Sequence, residues 1–428
     1  MKKTFLLSCL MLAAMPVMAA YTGRVYVDKN KNGVFDPGEK TWAGIKVSDG
    51  LNVVETAADG SFTLPGHERE RFIFITTPSG YKTFNRHYHK IEEKQSGYDF
   101  GLMPYSGRIR KDGSHKYIHI ADTEIFNTEN HEDWVNNVRD YARNEQAAFI
   151  IHTGDICYEK GLKAHIKLMN TENMDCPVFY CIGNHDLVKG KYGEELFESI
   201  YGPVYYSFDA GNVHYIVTPM PGGDHAPGYT ADDVCRWLKN DLAHIRPGTP
   251  VVVFNHDLLT YEDAFIFKSK NAGSINLNEH NLKAWVYGHW HINYMKKQGD
   301  VYSVCTSSLD KGGIDHSTTA FRVMHVDSKG DFTSELRYTY LDKNICIASP
   351  AGVMASGVLP VAVNVYSSVS PVKEVLYTCL ADGKPVLKNK RLLQSTDWSW
   401  NGELPLSDKY VGCLLYTSPS PRDKRQSR

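Results

Sequence analysis

Carboxylates, an amide and imidazoles recur in five short stretches of this chain. They are Asp122-Thr123-Glu124, Gly154-Asp155, Gly183-Asn184-His185-Asp186, His256 and Gly288-His289-Trp290-His291. Carboxylate oxygens can bridge two cations and imidazole nitrogens can complete their shells, so these residue types suit a pair of divalent metal ions. Each stretch follows an apolar, β-branched run that reads as a buried strand: KYIHIA, AAFIIHT, PVFYCI, PVVVF and LKAWVY. The candidate chemistry thus sits where strands end and loops begin, the edge of an α/β sheet at which ligands bind.

The order and spacing of these pieces resemble the calcineurin-like metallophosphoesterases, whose pattern is D-x-H, G-D, G-N-H-D/E, H and G-H-x-H. Residues about 116 to 343 carry the resemblance, and the first motif departs from it, with Glu124 where the family usually has histidine. The resemblance implies a role for each position. Asp122 would ligate a first metal, Asp155 would bridge both ions, and Asn184 would ligate the second through its amide oxygen. His256 and His289 would complete the second metal and His291 the first. His289 and His291 stand two apart on a segment read as extended, so they are expected to share a face. Glu124 either binds the first metal through oxygen, favouring Mn²⁺, Fe²⁺ or Mg²⁺ over Zn²⁺, or stays out and leaves that metal weaker. His185 is expected to be a non-ligand facing the leaving group, where, protonated, it would stabilise the transition state or donate a proton to the departing oxygen, with Asp186 orienting its other ring nitrogen. The implied reaction is hydrolysis of a phosphate ester by a metal-bridging hydroxide, with two divalent transition ions (Mn, Fe or Zn) as cofactors.

The elements that must position these residues alternate strand and helix over 104–343. EDWVNNVRDYARNEQ and TADDVCRWLKNDLAHI read as amphipathic helices with acids in the first turn, and Val234, Trp237, Leu238 and Leu242 form a core stripe on the second. Consecutive late strands alongside βαβ units suggest two packed sheets with helices outside. The resembled family has that α/β core, a four-layer α-β-β-α sandwich. Residues 21–103 read as a small all-β sandwich of short alternating runs between Gly, Asp and Asn turns. Within it Asp28, Asn30, Asn32, Val34, Asp36 and Glu39 fit a calcium-wrapping loop, with Gly33 at its sharp turn. The alternative is an Asx-rich turn without an ion. Residues 344–413 read as a second, truncated β-sandwich. Together the parts resemble secreted bacterial phosphoesterases with a β module on each side of the catalytic domain.

The 428 residues suggest two or three domains. A net charge of −2 gives no bulk reason to bind nucleic acid or an anionic membrane. Residues 1–20 read as a signal peptide: Lys2 and Lys3, an apolar stretch, then Val17-Met18-Ala19 as a small-residue cleavage site. That implies export, periplasmic or extracellular. No later stretch is long enough to cross a bilayer as a helix. Residues 414–428 are basic and aperiodic and closely resemble translated sequencing-adapter read-through. Of nine cysteines, Cys9 lies in the leader and Cys413 abuts the tail. The remaining odd, scattered set reads as small core residues rather than a disulfide framework, and Cys157 as a wall of the site. His119, His152 and His214 read as strand packing or as groups that support the ligands, and His165, His244 and His280 as surface. Asn255, Asp257 and Tyr158 flank the motifs as candidates to support the ligands or to touch substrate, and His225 and His316 lie in Gly-rich loops within reach of a substrate.

The expected partner is a phosphorylated small molecule or glycan. Two other readings compete. One is a diesterase or pyrophosphatase, since no arginine sits in a motif loop to hold a dianionic phosphate. The other is a non-catalytic surface or glycan-binding protein with a degenerate metal site. The oligomeric state is not legible.

Overall fold

The computed structural model of the chain describes residues 20–406 except 85, 106–107, 341–342, 351–356, 368–371 and 397. Residues 1–19 of the expected leader, residues 407–413 of the expected C-terminal module and the tail 414–428 lie outside the described residues.

All five apolar runs form strands, and two sheets collect them. The first sheet orders Val178–Tyr180, Phe149–His152, His115–Ile120, Ala320–Val326 and Phe332–Tyr338. Its first three strands run parallel and the later two antiparallel. The second orders Tyr206–Ala210, Val213–Val217, Val251–Phe254, Leu282–Tyr287, Val301–Cys305 and Tyr294–Gln298. Its central strands are parallel, so their C-terminal ends deliver Asn255-His256 and Gly288-His289 to one edge.

Side chains alternate across each strand, and that alternation decides what packs where. On one face of the first sheet Ile118, Ile120, Ile150, Phe321 and Val323 meet Trp134, Val135, Val138 and Ala142 of helix Glu132–Asn144. On its other face the Tyr117 and Phe149 rings stack at 4.7 Å and both meet Phe254 and Tyr215 of the second sheet edge-on. Helix Ala231–Ala243 begins at a capping box in which the Thr230 hydroxyl accepts from the Asp233 N–H and Asp233 accepts from the Thr230 N–H. Its stripe Val234, Trp237, Leu238 and Leu242 is buried, as its spacing requires. The helix is also tied to the second sheet by charge. The buried His214 ring lies 2.7 Å from Asp209 and 2.8 Å from Asp241. Burial opposes its protonation, but Asp241 and Asp209 outweigh that and raise its pKa to about 9.

Residues 21–104 form two four-stranded sheets that enclose one apolar cluster, with Val25, Phe62, Leu64, Phe100 and Leu102 from one and Val47, Ile73 and Ile75 from the other. The strand Phe72–Ile75 turns Phe72 and Phe74 outward onto the α/β core, where Phe74 meets Trp237 at 6.3 Å. Beside it Arg71 bridges the buried Glu194 and Glu198 at 2.7 and 2.8 Å. At the other end of the chain a four-stranded sheet and a hairpin share a smaller core of Val361, Val363, Cys379, Leu392, Trp400 and Leu404. The described cysteines are free thiols, all buried except the half-buried Cys346. Two helices appear where no helical pattern stood out in the sequence, Tyr158–Leu168 and Glu195–Tyr201.

Candidate metal centre

Asp122, Asp155, His256, His289, His291 and Glu124 come together at the strand ends. Asp155 is the hinge of the arrangement. Its ligand atoms lie within 4.8 Å of those of His256 and His289 in one group, and of those of Glu124 and Cys157 in a second. The His256 Nε2 is 3.1 Å from Asp155 Oδ2 and 4.0 Å from Asp122 Oδ1. On the other side His291 Nε2 lies 3.5 Å from Asp122 Oδ1 and 3.4 Å from Glu124 Oε1.

The charges are unbalanced in a way that calls for cations. Burial pushes the Asp122 carboxyl well above its ordinary range, and the neighbouring Asp155 adds to this. Burial also acts against the Asp155 carboxylate, but His256 overrides it and the net shift is downward. His256 is fully buried, yet the Asp155 charge lifts its pKa to about 10. A divalent ion bound there would stabilise the charged carboxylates that burial disfavours. Asn184 Oδ1 is also buried without a hydrogen-bond partner, and His256 Nε2 faces the Asp155 carboxylate. The opposite nitrogen of His256 faces the Thr153 carbonyl at 2.7 Å, which fixes the ring with Nε2 toward the carboxylates. The donor set of carboxylates, amide oxygen and imidazole fits divalent transition ions.

The backbone is bent hard to achieve this. Asp122, Glu124, Asp155, Cys157, Tyr158, His289 and His291 all have positive φ, between 44° and 76°. Such conformations cost energy for non-glycine residues and cluster at functional sites. They also correct the expectation of an extended G-H-x-H segment: His289 and His291 are left-handed, at φ 66° and 50°, in a bend rather than a strand. Two glycines are dictated by close approach. A Cβ on Gly183 would sit 2.2 Å from Asp155 Oδ1, and one on Gly288 would sit 2.7 Å from Asp122 Oδ2.

The expected pairing of His185 with Asp186 is not what the chain forms. Asp186 is buried beneath the loop and accepts backbone N–H groups from Asp155, Cys157 and Gly183 at 2.8–3.0 Å. It is a staple between two motif loops, and burial beside Asp155 raises its pKa to about 6. His185 instead holds Asp224, with Nδ1 2.8 Å from Oδ2. Burial disfavours the charged ring, but Asp224 and Asp155 raise its pKa overall. Asp224 follows Gly222-Gly223, where a Cβ on Gly223 would strike the Asn184 carbonyl at 2.3 Å. That glycine pair was the available sign of a loop laid against the third motif.

Lys311 is the other residue the sequence reading missed. It lies far from every motif, yet its Nζ is 2.7 Å from Glu124 Oε2 and 2.9 Å from the Glu124 carbonyl. Phe126 and Tyr158, 55% and 40% exposed, stack beside it with their planes 15° apart, and the Tyr158 hydroxyl is 3.5 Å from His185 Nδ1. Cys157 is buried within reach of Asp155 and Glu124, and burial pushes its thiol far up. Asn255 and Asp257 brace the second sheet's loops, Asp257 through the Trp290 N–H at 2.9 Å. His119 and His152 are buried against the Thr153 and Thr123 hydroxyls at 2.9 and 3.0 Å, His214 is buried between Asp209 and Asp241, and His244 is exposed and His280 half-buried. His165, expected at the surface, is fully buried against Trp134 and His152, because helix Tyr158–Leu168 turns that face inward. His225 is exposed, and His316 adopts φ 63° in the Lys311 loop.

The Asp28–Glu39 loop closes through its own polar groups. Asp28 accepts from the Gly33 N–H at 2.8 Å, the Asn30 and Asn32 amides donate to Asp36 at 2.7 Å, and Glu39 accepts from Lys29 and Asp36. Val34 donates its N–H to Asn32 at 2.9 Å.

Comparison with known proteins places two family models on the chain. One described as the N terminal of calcineurin-like phosphoesterase matches residues 29–105, and one described as calcineurin-like phosphoesterase matches 115–293. No curated protein matches as a relative. Among solved structures, the chain is similar to GAP50, the anchor in the inner membrane complex of Plasmodium, at 13% identity over 53% of this chain and 85% of that one, TM-score 0.35. It is similar to a putative 5'-nucleotidase from Staphylococcus aureus at 14% identity, over 53% and 54%, TM-score 0.32. It is also similar to a phosphopantetheinyl hydrolase from Mycobacterium tuberculosis at 13% identity, over 46% and 91%, TM-score 0.31.

Proposed function

We propose, from the premise that this chain belongs to the calcineurin-like phosphoesterase family and is a hydrolase of phosphoric esters, that it works through two divalent ions sharing Asp155. The observation that carries this is the pair of ligand groups meeting at Asp155, one with His256 and His289 and one with Glu124. Asp122 and His291 would join Glu124 at the first ion, and Asn184 would join His256 and His289 at the second. Bound there, such ions supply a water of lowered pKa and a clamp for phosphoryl oxygens. Glu124 makes the first position rich in oxygen, which favours Mn²⁺ or Fe²⁺ over Zn²⁺.

The chain's own residues would do the rest. His185, its pKa raised by Asp224, would donate a proton to the departing ester oxygen. Asp186 would hold the Asp155 and Gly183 loops at fixed spacing. The organic part of the substrate would meet the exposed Phe126 and Tyr158 rings.

The two facing sheets with a helix packed against each favour reading residues 104–343 as a four-layer α-β-β-α sandwich. All-β modules would flank it at 21–103 and 344–413. The leader motif at 1–20 favours an exported enzyme acting on a phosphorylated small molecule or glycan, and no helix among the described residues is long and apolar enough to cross a membrane. The test is a panel of phosphomonoesters, diesters and pyrophosphates assayed with Mn²⁺, Fe²⁺, Zn²⁺ and Mg²⁺. Turnover of at least one class that chelator abolishes and metal restores supports the reading. No turnover with any metal, in protein that holds none, would reject it.

A further inference from the structure

We propose that Lys311 is the phosphate-holding cation of this site and that it fits the site to dianionic phosphomonoesters. The inference rests on the phosphoesterase reading above and deepens it.

Lys311 is the one Lys or Arg among the described residues that pairs with a carboxylate of the metal cluster. An ammonium group has three N–H donors. Glu124 occupies two of them, through its side chain and its own carbonyl, and the side chain remains 44% exposed. The third donor is left for a ligand on the open side. The loop that carries Lys311 is fixed to the site rather than loose. The Ser308 hydroxyl accepts from the Lys311 N–H at 3.1 Å, Gly312 bonds back to the Ser308 carbonyl at 3.0 Å, and Ile314 donates to the His291 carbonyl at 2.9 Å. The ammonium also lies 5.9 Å from the Phe126 ring, on the side where the organic group would rest.

Charge decides what the third donor is for. The carboxylates of Asp122, Glu124 and Asp155, together with a hydroxide nucleophile, would neutralise two divalent ions. A diester would then bring one uncompensated negative charge and a monoester dianion two, so the Lys311 ammonium attracts the monoester about twice as strongly. A hydrogen bond from a charged donor to a phosphate oxygen is strong enough to move specificity by about 10- to 100-fold.

The experiment compares Lys311→Met and Lys311→Arg with the wild type in three readouts: kcat/KM for an aryl monoester and for the matching bis-aryl diester, the affinity for inorganic phosphate, and bound metal per chain. The expected result for Lys311→Met is a fall on the monoester and in phosphate affinity that exceeds the fall on the diester by about 10- to 100-fold, with metal content nearly unchanged. Lys311→Arg should recover much of the loss, since the charge is kept. Equal losses on both esters, or a fall in metal content, would overturn the inference and make Lys311 a support for Glu124. A wild type that cleaves diesters but not monoesters would overturn it too while leaving the phosphoesterase reading intact. A wild type inactive on every ester fails the parent reading, and unchanged phosphate affinity in Lys311→Met would then overturn this inference separately.

Discussion

Replacing Asp224 by Asn separates the observed partner of His185 from the expected one. His185 as proton donor must be protonated, so activity is present below its pKa in the working enzyme and lost as pH rises through it. Asp224 accepts from Nδ1 at 2.8 Å and raises that pKa, so removing its charge should move the alkaline limb of kcat to lower pH. Both groups are about one-third exposed, which weakens the pair through solvent screening. Partly exposed ion pairs contribute up to about 1 kcal/mol, or roughly 0.7 of a pH unit. A shift of about half a unit, with a modest loss of kcat at the optimum and unchanged metal content, is the expected outcome. Asp186→Asn is the control. It should leave the limb in place but lower stability by about 2–4 kcal/mol, because a buried carboxylate that accepts three backbone N–H groups is replaced by a poorer acceptor. An unmoved limb in Asp224→Asn together with a shifted one in Asp186→Asn would refute the assignment.

Glu124→His should keep or raise activity with Zn²⁺ and reduce the advantage of Mn²⁺, read from metal-reconstituted apoenzyme; loss of activity with every metal would assign Glu124 a role beyond ligation. Arg71→Met should lower stability by about 3–5 kcal/mol in denaturant melts, because Glu194 and Glu198 stay buried without their cation. The Asp28–Glu39 loop should raise the melting temperature of the metal-loaded enzyme when Ca²⁺ is added, without changing kcat; a melting curve indifferent to Ca²⁺ would leave it an Asx-rich turn.

The five motif strands were legible because each is a short, mostly apolar run, buried but for Lys116, Val178 and Lys283, and because a ligand type follows in the loop after it. The helices Glu132–Asn144 and Ala231–Ala243 were legible from their stripes and acidic first turns. Helix Tyr158–Leu168 was hidden because it starts straight from the Asp155 loop, at Cys157 with φ 76°, and has no Ser, Thr, Asp or Asn cap to announce it. Missing that helix is also why His165 was read as surface. Asp224 and Lys311 were hidden for a different reason. Neither adjoins a motif in the chain, and only the folding of separate loops brings them to His185 and Glu124. Adjacency in sequence pointed to Asp186 as the partner of His185, but a side chain next along a tight turn points away from its neighbour into the loop's backbone. His289 and His291 were placed on one face by strand geometry, whereas left-handed backbone at both positions aims them instead.

The quantity that bears most directly on a cation pair sharing one carboxylate is the metal bound per chain in the wild type and in Asp155→Ala. The account predicts about two transition ions per wild-type chain and nearly complete loss of both in the variant, because Asp155 belongs to both ligand groups. Wild-type protein without tightly bound metal, or a variant that loses only one ion, would contradict it.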